Sequence, residues 1–524
     1  MTTLTADEAI KTTWDVAIVG TGIGGGIIGR RLAEAGHSVL FIEKGSMGRP
    51  AEATENSYTH PDPQARLLRG LWPAKLKGLV NGKPRHWFGP IGCGVGGSSV
   101  FYAAALERPR RHDIDAVEGT AHPTNGWPVD FDTYLPYYDQ AASMFYLNGS
   151  PDPLDDAPAL PLLPPRALTD SDEALMQSLT KAGCHPYRLN LATKNRPGCR
   201  GCVGHKCPQA CKLDGRSAGV NPALATGKAR ILVSTAVTEI LHENGTVAGL
   251  RSVQREQEHT IKAKTYILAA GALASPRLLM ASGDAANSSG LVGRGLLFHL
   301  NEMFALWPKT RAAGGVSKSI GLRDIYGGQD RFGAIQSLGL EADYDRINTF
   351  LGQLYDRSFL GRFRQGRKFT AILASIASRL LGSAPIFVGF VEDYPLAENR
   401  VLPPVPNNDQ IEFTYNVPKT LRTRRRAFRR AIRKKLKGHR VLFLHPDPEP
   451  NFGHPAATLR FGTSEKNSVL NPDCRTHDLN NLYVVDASFM PSSLGVNPSL
   501  TIAANALRVG DIISKKMLNS SGPS

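Results

Sequence analysis

The sequence lacks long hydrophobic runs, and it has few cysteines for its length. No stretch among its 524 residues reaches the roughly 18 consecutive apolar residues that a membrane-spanning helix needs. The polar segment 1–11 contains no apolar signal region, and seven cysteines are too few for a disulfide-stabilised scaffold. These absences predict a soluble chain that is cytoplasmic by default, with export to the periplasm by a co-exported partner as the alternative.

Acidic residues are scarce relative to basic ones. The chain has 62 Lys and Arg against 46 Asp and Glu, a formal net charge of +16. Such an excess favours anionic partners, and we expect a membrane surface or an acidic protein rather than nucleic acid, because no nucleic-acid-reading motif accompanies the charge. A hydrophobic fraction of 41% over this length predicts a globular chain of two or three domains, or one two-lobed unit.

The N-terminal segment has the pattern of a dinucleotide-binding βαβ unit. Residues 15–19 predict a strand buried on both faces, 20–25 contain G-x-G-x-x-G, and 39–42 predict a second strand that ends at Glu43. The glycines allow a tight turn and close approach to a pyrophosphate, which the helix N-terminus attracts, while Glu43 can accept ribose hydroxyls. The alternative is a glycine-rich loop that serves helix packing only.

Further motifs lie along the rest of the chain. Besides the N-terminal fingerprint they are Gly-Cys-Gly-Val-Gly-Gly-Ser-Ser at 92–99, Gly-Trp-Pro at 126–128, Leu-Pro-Tyr-Tyr at 135–138, the segment 269–279, Val-Gly-Arg at 292–294 before His299, and 481–486 followed by Gly-Val-Asn-Pro at 495–498. Together they resemble the glucose–methanol–choline (GMC) family of flavin oxidoreductases over nearly the whole chain.

The resemblance implies an α/β fold with two domains. The first is a Rossmann-like FAD-binding domain assembled from the discontinuous segments 13–120, 215–299 and 451–518. The second is an α+β substrate-binding domain with an antiparallel sheet, made of 121–214 and 300–450. Buried strands predicted at 266–271 and 481–486, far from the N-terminal unit, agree with such a discontinuous first domain.

The resemblance also implies that FAD is the cofactor. The residues expected to bind it are Gly20, Gly22, Ile23, Gly24, Gly25, Glu43, Lys44, Gly96, Gly97, Ser98, Ser99, Val237, Ala270, Gly271, Asp486, Ala487, Asn497 and Pro498. Some family members bond the flavin covalently through a histidine just after the double glycine. This chain has Phe101-Tyr102 there, so we expect non-covalent FAD.

Oxidising an alcohol requires a base for the hydroxyl proton and transfer of a hydride to flavin N5. By the resemblance, His454 is the expected catalytic base and Asn497 is its partner, which orients the hydroxyl. The family commonly has glycine where Ala457 stands, so the local backbone is expected to differ. The other histidines singled out, His299, His445 and His477, are interpreted as structural.

Four cysteines cluster with the spacing C-x2-C-x4-C-x3-C. They are Cys199, Cys202, Cys207 and Cys211. Three interpretations stay open: an iron–sulfur cluster, as the resemblance to bacterial FAD glucose dehydrogenase catalytic subunits implies, a zinc site, or thiols and disulfides without metal. An iron–sulfur cluster would pass electrons to a small subunit or cytochrome, which favours a dehydrogenase over an oxidase.

Two basic segments carry interleaved apolar residues. Arg422 to Lys437 contains ten Lys and Arg and no acid, and Phe359 to Leu381 combines basic residues with apolar ones at helical spacing. They are interpreted either as surface helices with solvated basic faces, or as a docking face for anionic lipid or an acidic electron-accepting subunit.

The sequence therefore predicts an FAD-dependent oxidoreductase that converts an alcohol or sugar hydroxyl to a carbonyl and passes electrons to an acceptor protein or quinone. An oxygen-reducing oxidase of the same family, acting on a sugar, alcohol or sterol, is one alternative. A non-catalytic FAD-binding assembly component is another.

Overall fold

The chain contains both helices and strands, with several runs of consecutive strands. The computed structural model describes residues 3–48, 62–118, 122–194, 196, 199, 204–283, 285–307, 315–359, 363–381, 384–406 and 408–520. The helices are α1 Ala6–Ala9, α2 Ile23–Glu34, α3 Pro63–Leu68, α4 Arg111–Ile114, α5 Phe131–Met144, α6 Asp170–Lys181, α7 Asn221–Ala225, α8 Ser275–Ala281, α9 Tyr344–Arg357, α10 Lys368–Leu381, α11 Lys419–Lys435 and α12 Ser499–Ser520. The strands are β1 Trp14–Val19, β2 Val39–Ile42, β3 Leu76–Val80, β4 Lys83–Trp87, β5 Tyr187–Arg188, β6 Ala229–Leu232, β7 Ala236–Glu243, β8 Thr246–Gln254, β9 Gln257–Ile261, β10 Ala263–Leu268, β11 Leu300–Trp307, β12 Ile320–Leu322, β13 Phe332–Glu341, β14 Pro385–Val391, β15 Arg400–Val401, β16 Glu412–Tyr415, β17 Arg440–Phe443, β18 Glu449–Pro450 and β19 Leu482–Val484.

A five-stranded parallel sheet carries the N-terminal motif. Its strand order is β19-β10-β1-β2-β6, so strands from the beginning, the middle and the end of the sequence belong to one sheet. Residues Val39–Ile42 are buried on both faces, and β1 and β10 are almost as fully buried, because α2 and α12 pack together with this sheet in one hydrophobic core. The predicted α/β fold with a parallel sheet built from distant segments is confirmed.

A second, antiparallel sheet has the order β17-β11-β14-β13-β12-β5, with β18 beside β11. One face packs on α11, where Phe428 contacts Phe332 and Gly389. The opposite face, called the inner face here, is defined by Asn301, Gln336 and Phe390 on β11, β13 and β14. Residues Asn301 and Phe390 are direct partners in the ladder, so they share this face.

The two predicted domains share several contacts. Helix α5, which the prediction assigns to the substrate-binding domain, packs against α12, and Tyr134 Oη donates to Asn505 Oδ1 (3.1 Å). Strands β3 and β4 form a four-stranded sheet with β15 and β16, so residues before 120 pair with residues after 400. The domain boundaries themselves stay a prediction. None of the helices in the described part of the chain is long and apolar enough to span a bilayer.

Candidate active site

Four chain segments converge at the carboxyl edge of the parallel sheet. Gly20 follows β1, Glu43 follows β2, Gly271 follows β10 and Asp486 follows β19. In open α/β sheets ligands bind outside this edge, where the strand order reverses. Most of the predicted cofactor residues therefore belong to one region of the fold.

The glycine loop after β1 leaves space beside the first turn of α2. Gly20 has φ +96°, in the region that favours glycine, and a Cβ on Gly22 would meet no described atom within 4 Å. Gly22 caps α2 without a side-chain hydrogen bond, so the amides of the first turn stay available to an anion. A Cβ on Gly97 would lie 3.0 Å from the Cα of Gly22, which shows that the second glycine loop closes over the first. This cradle fits the pyrophosphate of FAD.

Glu43 is buried and holds the loop in place. Its Oε2 accepts from the backbone N–H and the hydroxyl of Thr21 (3.2 and 2.5 Å), and Oε1 accepts from the N–H of Gly45 (3.0 Å). The adjacent Lys44 instead forms an ion pair with Asp409 and lies 4.8 Å from the centre of the Trp72 ring. Glu43 is therefore both a ribose-binding candidate and a structural support.

Asp486 ties the ends of β10 and β19 together. Its Oδ2 accepts from the N–H of Gly271 (2.9 Å) and from the Ser275 hydroxyl (2.5 Å), and Oδ1 accepts from the N–H of Ser488 (2.9 Å). Burial raises the pKa of this carboxyl. A Cβ on Gly24 would lie 2.2 Å from the carbonyl oxygen of Val485, so only glycine fits where α2 crosses this segment.

The remaining predicted cofactor residues lie around the same two loops, at the ends of other elements, or, for Val237, in the separate three-stranded sheet β7-β8-β9. Ser99 Oγ donates to the Gly96 carbonyl oxygen (2.6 Å) and accepts from the Gly215 N–H (2.9 Å), which fastens the second glycine loop. Ser98 Oγ accepts from the Gly92 N–H (2.9 Å). Val237 is half-buried on β7. Ile23 lies in the first turn of α2, Ala270 after β10, Ala487 after β19, and Pro498 just before α12.

His454 contacts a second histidine, which the sequence interpretation treats as structural. His454 Nδ1 lies 3.0 Å from Nδ1 of His299, and His299 Nε2 lies 3.0 Å from the carbonyl oxygen of Leu494. His299 follows the Val-Gly-Arg motif closely in sequence, and this proximity is the one signal that could have marked it. Ala457 has φ +69°, so alanine adopts a conformation that suits the glycine common in the family.

These two contacts fix the proton positions on both rings. A carbonyl oxygen only accepts, so His299 Nε2 carries a proton and donates to Leu494. Burial lowers the pKa of His299 to about 4, so the ring is neutral at pH 7 and its Nδ1 is an acceptor. His454 Nδ1 must then be the donor between the rings. The other nitrogen of His454, Nε2, therefore carries the lone pair that can accept a proton.

His454 and Asn497 reach the same inner face. The His454 ring lies 6.3 Å from the Phe390 ring, centre to centre, while Gln336 Nε2 donates to Asn497 Oδ1 (3.0 Å). Gln336 is paired directly with Val388, two residues from Phe390 on the same side of β14. The two predicted catalytic residues, His454 and Asn497, therefore contact neighbouring strands on the same face of the antiparallel sheet.

Burial and two neighbouring side chains lower the pKa of His454. Burial, then His299 and then Lys318 hold this pKa well below its usual 6.5, so His454 is neutral at pH 7 and has an unprotonated nitrogen. Burial and the nearby Lys212 lower the pKa of Lys318 itself to about 7, while Glu107 opposes this shift. Nothing in the local sequence pattern around Lys318 distinguishes it from a surface lysine, so its burial could not be predicted.

The cysteine cluster is only partly described. The N–H of Cys211 donates to Sγ of Cys207 (3.2 Å), and burial together with Cys207 and Cys199 raises the pKa of Cys211 to about 12. Cys202 lies outside the described residues. Within the described ranges no group of three or more His, Cys, Asp or Glu side chains is arranged to hold a metal ion, so the iron–sulfur and zinc interpretations receive no support.

Helix α11 uses much of its positive charge inside the protein. Arg425 and Arg429 form ion pairs with Glu302 (2.6 and 2.7 Å), and Arg424 donates to the carbonyl oxygens of Asp330 and Glu392 (both 2.8 Å). Arg426, Arg430, Arg433, Lys434 and Lys437 are exposed. This segment is thus a helix on the outer face of the antiparallel sheet that uses part of its charge in internal contacts, and its role as a docking face stays a prediction.

Comparisons with known proteins agree with this architecture. Two family models, both described as GMC oxidoreductase, match residues 23–301 and 420–506. The 2-methyl-1,2-propanediol dehydrogenase of Mycolicibacterium austroafricanum is 26% identical, with 96% of this chain and 95% of that protein covered. The 6'''-hydroxyparomomycin C oxidase of Streptomyces lividus is also 26% identical, with coverages of 96% and 92%.

Solved structures extend the likeness to the fold. Formate oxidase from Aspergillus oryzae, an enzyme with FAD, superposes with a TM-score of 0.64 at 15% identity, covering 97% of this chain and 99% of that one. The family and its FAD-dependent structural neighbours support FAD as the cofactor here. The family models cover more than half of the chain, and the chain belongs to the GMC oxidoreductases, which include dehydrogenases and oxidases acting on alcohols and sugars.

Proposed function

We propose that this GMC oxidoreductase is a dehydrogenase that oxidises an alcohol carrying further hydroxyl groups to a carbonyl compound. The observation that carries the proposal is the chain of contacts from Leu494 through His299 to His454. These contacts place a proton on His454 Nδ1 and leave Nε2 unprotonated, with a lone pair that can accept the hydroxyl proton. When bound, FAD supplies the two-electron acceptor for the hydride.

Each step assigned to the protein follows from this arrangement. His454 Nε2 takes the hydroxyl proton, and the resulting imidazolium keeps its Nδ1–H bond to His299, so the ring does not need to turn. Gln336 Nε2 donates to Asn497 Oδ1, which directs the amide N–H groups of Asn497 away from Gln336. Those groups are donors for the developing alkoxide.

Unpaired amide oxygens on the inner face support a hydroxyl-rich substrate. Gln336 Oε1 and Asn301 Oδ1 are buried and have no hydrogen-bond partner among the described residues. A buried acceptor without a donor costs about 1–3 kcal/mol, and a second substrate hydroxyl would remove that cost. A simple aliphatic alcohol would leave both oxygens unpaired.

The assignments for FAD and for the electron acceptor are also proposals. Buried Phe101 follows the second glycine loop, and the Tyr102 hydroxyl donates to the Leu213 carbonyl oxygen (2.5 Å), so the positions after the double glycine offer no histidine for a covalent bond to FAD. The 2-methyl-1,2-propanediol dehydrogenase relative supports a dehydrogenase, for which we propose a protein or quinone acceptor, whereas the Streptomyces lividus relative supports the alternative of an oxidase.

Anaerobic bleaching of the flavin tests the reaction. The purified holoprotein is mixed with polyols, sugars, aliphatic alcohols and sterols, and flavin absorbance is followed. We expect bleaching by a polyol or sugar, followed by faster reoxidation with a quinone than with oxygen. If only aliphatic alcohols act, the role of the amide oxygens is refuted, and if none of the alcohols acts, a non-catalytic FAD-binding protein is favoured.

A further inference from the structure

A helical insertion separates two adjacent strands of the antiparallel sheet. Strands β13 and β14 pair directly, with Glu341 opposite Pro385. A hairpin between such strands needs only two to five residues, yet residues 342–384 intervene and contain α9 and α10. These two helices pack against each other. The insertion is therefore much longer than the connection requires.

Helix α10 has one packed face and one exposed apolar face. Thr370 and Ala374 are buried, and the Thr370 hydroxyl donates to Asn348 Oδ1 on α9 (3.1 Å). The other face is an apolar stripe at positions i, i+3, i+4 and i+7. Its members are Phe369, Ile372, Leu373 and Ile376, which are 67%, 56%, 55% and 49% exposed.

The apolar stripe is not ordinary surface scatter. Phe359 and Phe363, just before α10, are 72% and 56% exposed, so six of the seventeen large exposed hydrophobic residues in the described chain fall within 359–376. A contiguous exposed apolar patch of this kind marks an interaction surface rather than a solvated face.

The charge around the apolar stripe indicates which kind of surface the stripe contacts. From Arg357 to residue 384 the sequence has six Lys and Arg and no Asp or Glu. Arg367 and Lys368 are exposed at one end of α10 and Arg379 at the other, with Arg367 also 3.5 Å from Asp356. Apolar side chains bordered by cations are the pattern of a helix lying in an anionic lipid interface, whereas two copies of this basic face would repel each other.

We infer that α10 is a peripheral membrane anchor, whose apolar stripe enters the interface of a bilayer containing anionic phospholipid. Beneath it, Ile347 of α9 packs on a cluster that includes Leu338 and Ile386, which continue the inner face away from the active site. When α10 docks on a bilayer, the end of the inner face that lies away from the active site therefore faces the lipid. This inference does not depend on the proposed reaction.

Vesicle co-sedimentation of the full-length holoprotein tests the anchor. The probes are vesicles of phosphatidylcholine alone and of phosphatidylcholine with phosphatidylglycerol, at low and high salt. The test variant is Ile372→Ser/Ile376→Ser. Leu518→Ser is the matched control, because Leu518 is 63% exposed on the remote helix α12. Arg430→Gln/Lys434→Gln controls for charge on α11.

We expect binding to the anionic vesicles that weakens with salt and falls at least tenfold in the test variant, with unchanged thermal unfolding and FAD content. Both controls should bind like the parent. The inference is overturned if the parent does not bind, if the α11 variant rather than the α10 variant loses binding, or if the stripe instead mediates a concentration-dependent dimer in sedimentation.

Discussion

Replacing His299 tests whether it controls the proton position on His454. In His299→Phe an aromatic ring is kept, but His454 Nδ1 loses the acceptor that lies 3.0 Å away, and the Leu494 carbonyl oxygen loses its donor. In His299→Asn the amide oxygen can replace Nδ1 as the acceptor. The first variant should therefore impair proton abstraction, and the second should restore most of it.

The expected magnitude follows from the lost hydrogen bond. A buried N–H without an acceptor costs about 1–3 kcal/mol, and the cost falls on the tautomer that leaves Nε2 basic. Since about 1.4 kcal/mol corresponds to a factor of ten, flavin reduction should slow roughly 5- to 150-fold in His299→Phe. This is smaller than the loss expected when the base itself is removed.

The assay is anaerobic stopped-flow measurement of flavin reduction at saturating substrate, with FAD content and melting temperature as controls. Rates equal to the parent in both variants would refute the tautomer argument. Equal losses in both, at normal FAD content, would show that His299 acts otherwise than by accepting the Nδ1 proton of His454.

Two further predictions concern the base and the cofactor cradle. Lys318→Met removes a cation that lowers the pKa of His454, so this pKa should rise toward 6.5. Because the base must be neutral to accept a proton, the acid limb of the pH–rate profile should move to higher pH. An acid limb at the parental pH would exclude electrostatic coupling between Lys318 and His454. Gly22→Ala puts a methyl group where no described atom lies within 4 Å, so the apoprotein should fold normally. The methyl group would occupy space proposed for the pyrophosphate, so FAD should bind at least tenfold more weakly in a fluorescence titration. An unchanged FAD affinity would place the pyrophosphate elsewhere.

The parallel sheet and its glycine loop could be predicted because their signals are local. Residues 39–42 form a continuous apolar run since parallel strands are buried on both faces. Gly20 and Gly24 mark positions where the backbone has positive φ or approaches another segment closely. A few neighbouring residues carry all of this information.

Other features depend on contacts between distant residues. His299 and His454 are 155 positions apart, and Gln336 and Asn497 are 161 apart, so no local pattern reveals either pair. Two arginines of α11, Arg425 and Arg429, form ion pairs with Glu302, which lies more than 120 positions earlier in the chain, so the sequence pattern alone could not separate them from the exposed cations of the helix. Periodicity predicts which face of a helix is polar, but not what lies opposite it.

Removal of the imidazole at position 454 tests the central claim most directly. The measurement compares anaerobic flavin reduction by an active alcohol in the parent and in His454→Ala, each with FAD content confirmed. The proposed mechanism predicts that the variant keeps its yellow colour and slows by about 100- to 10,000-fold. Reduction at the parental rate in a variant with full FAD would contradict the assignment of His454 as the base.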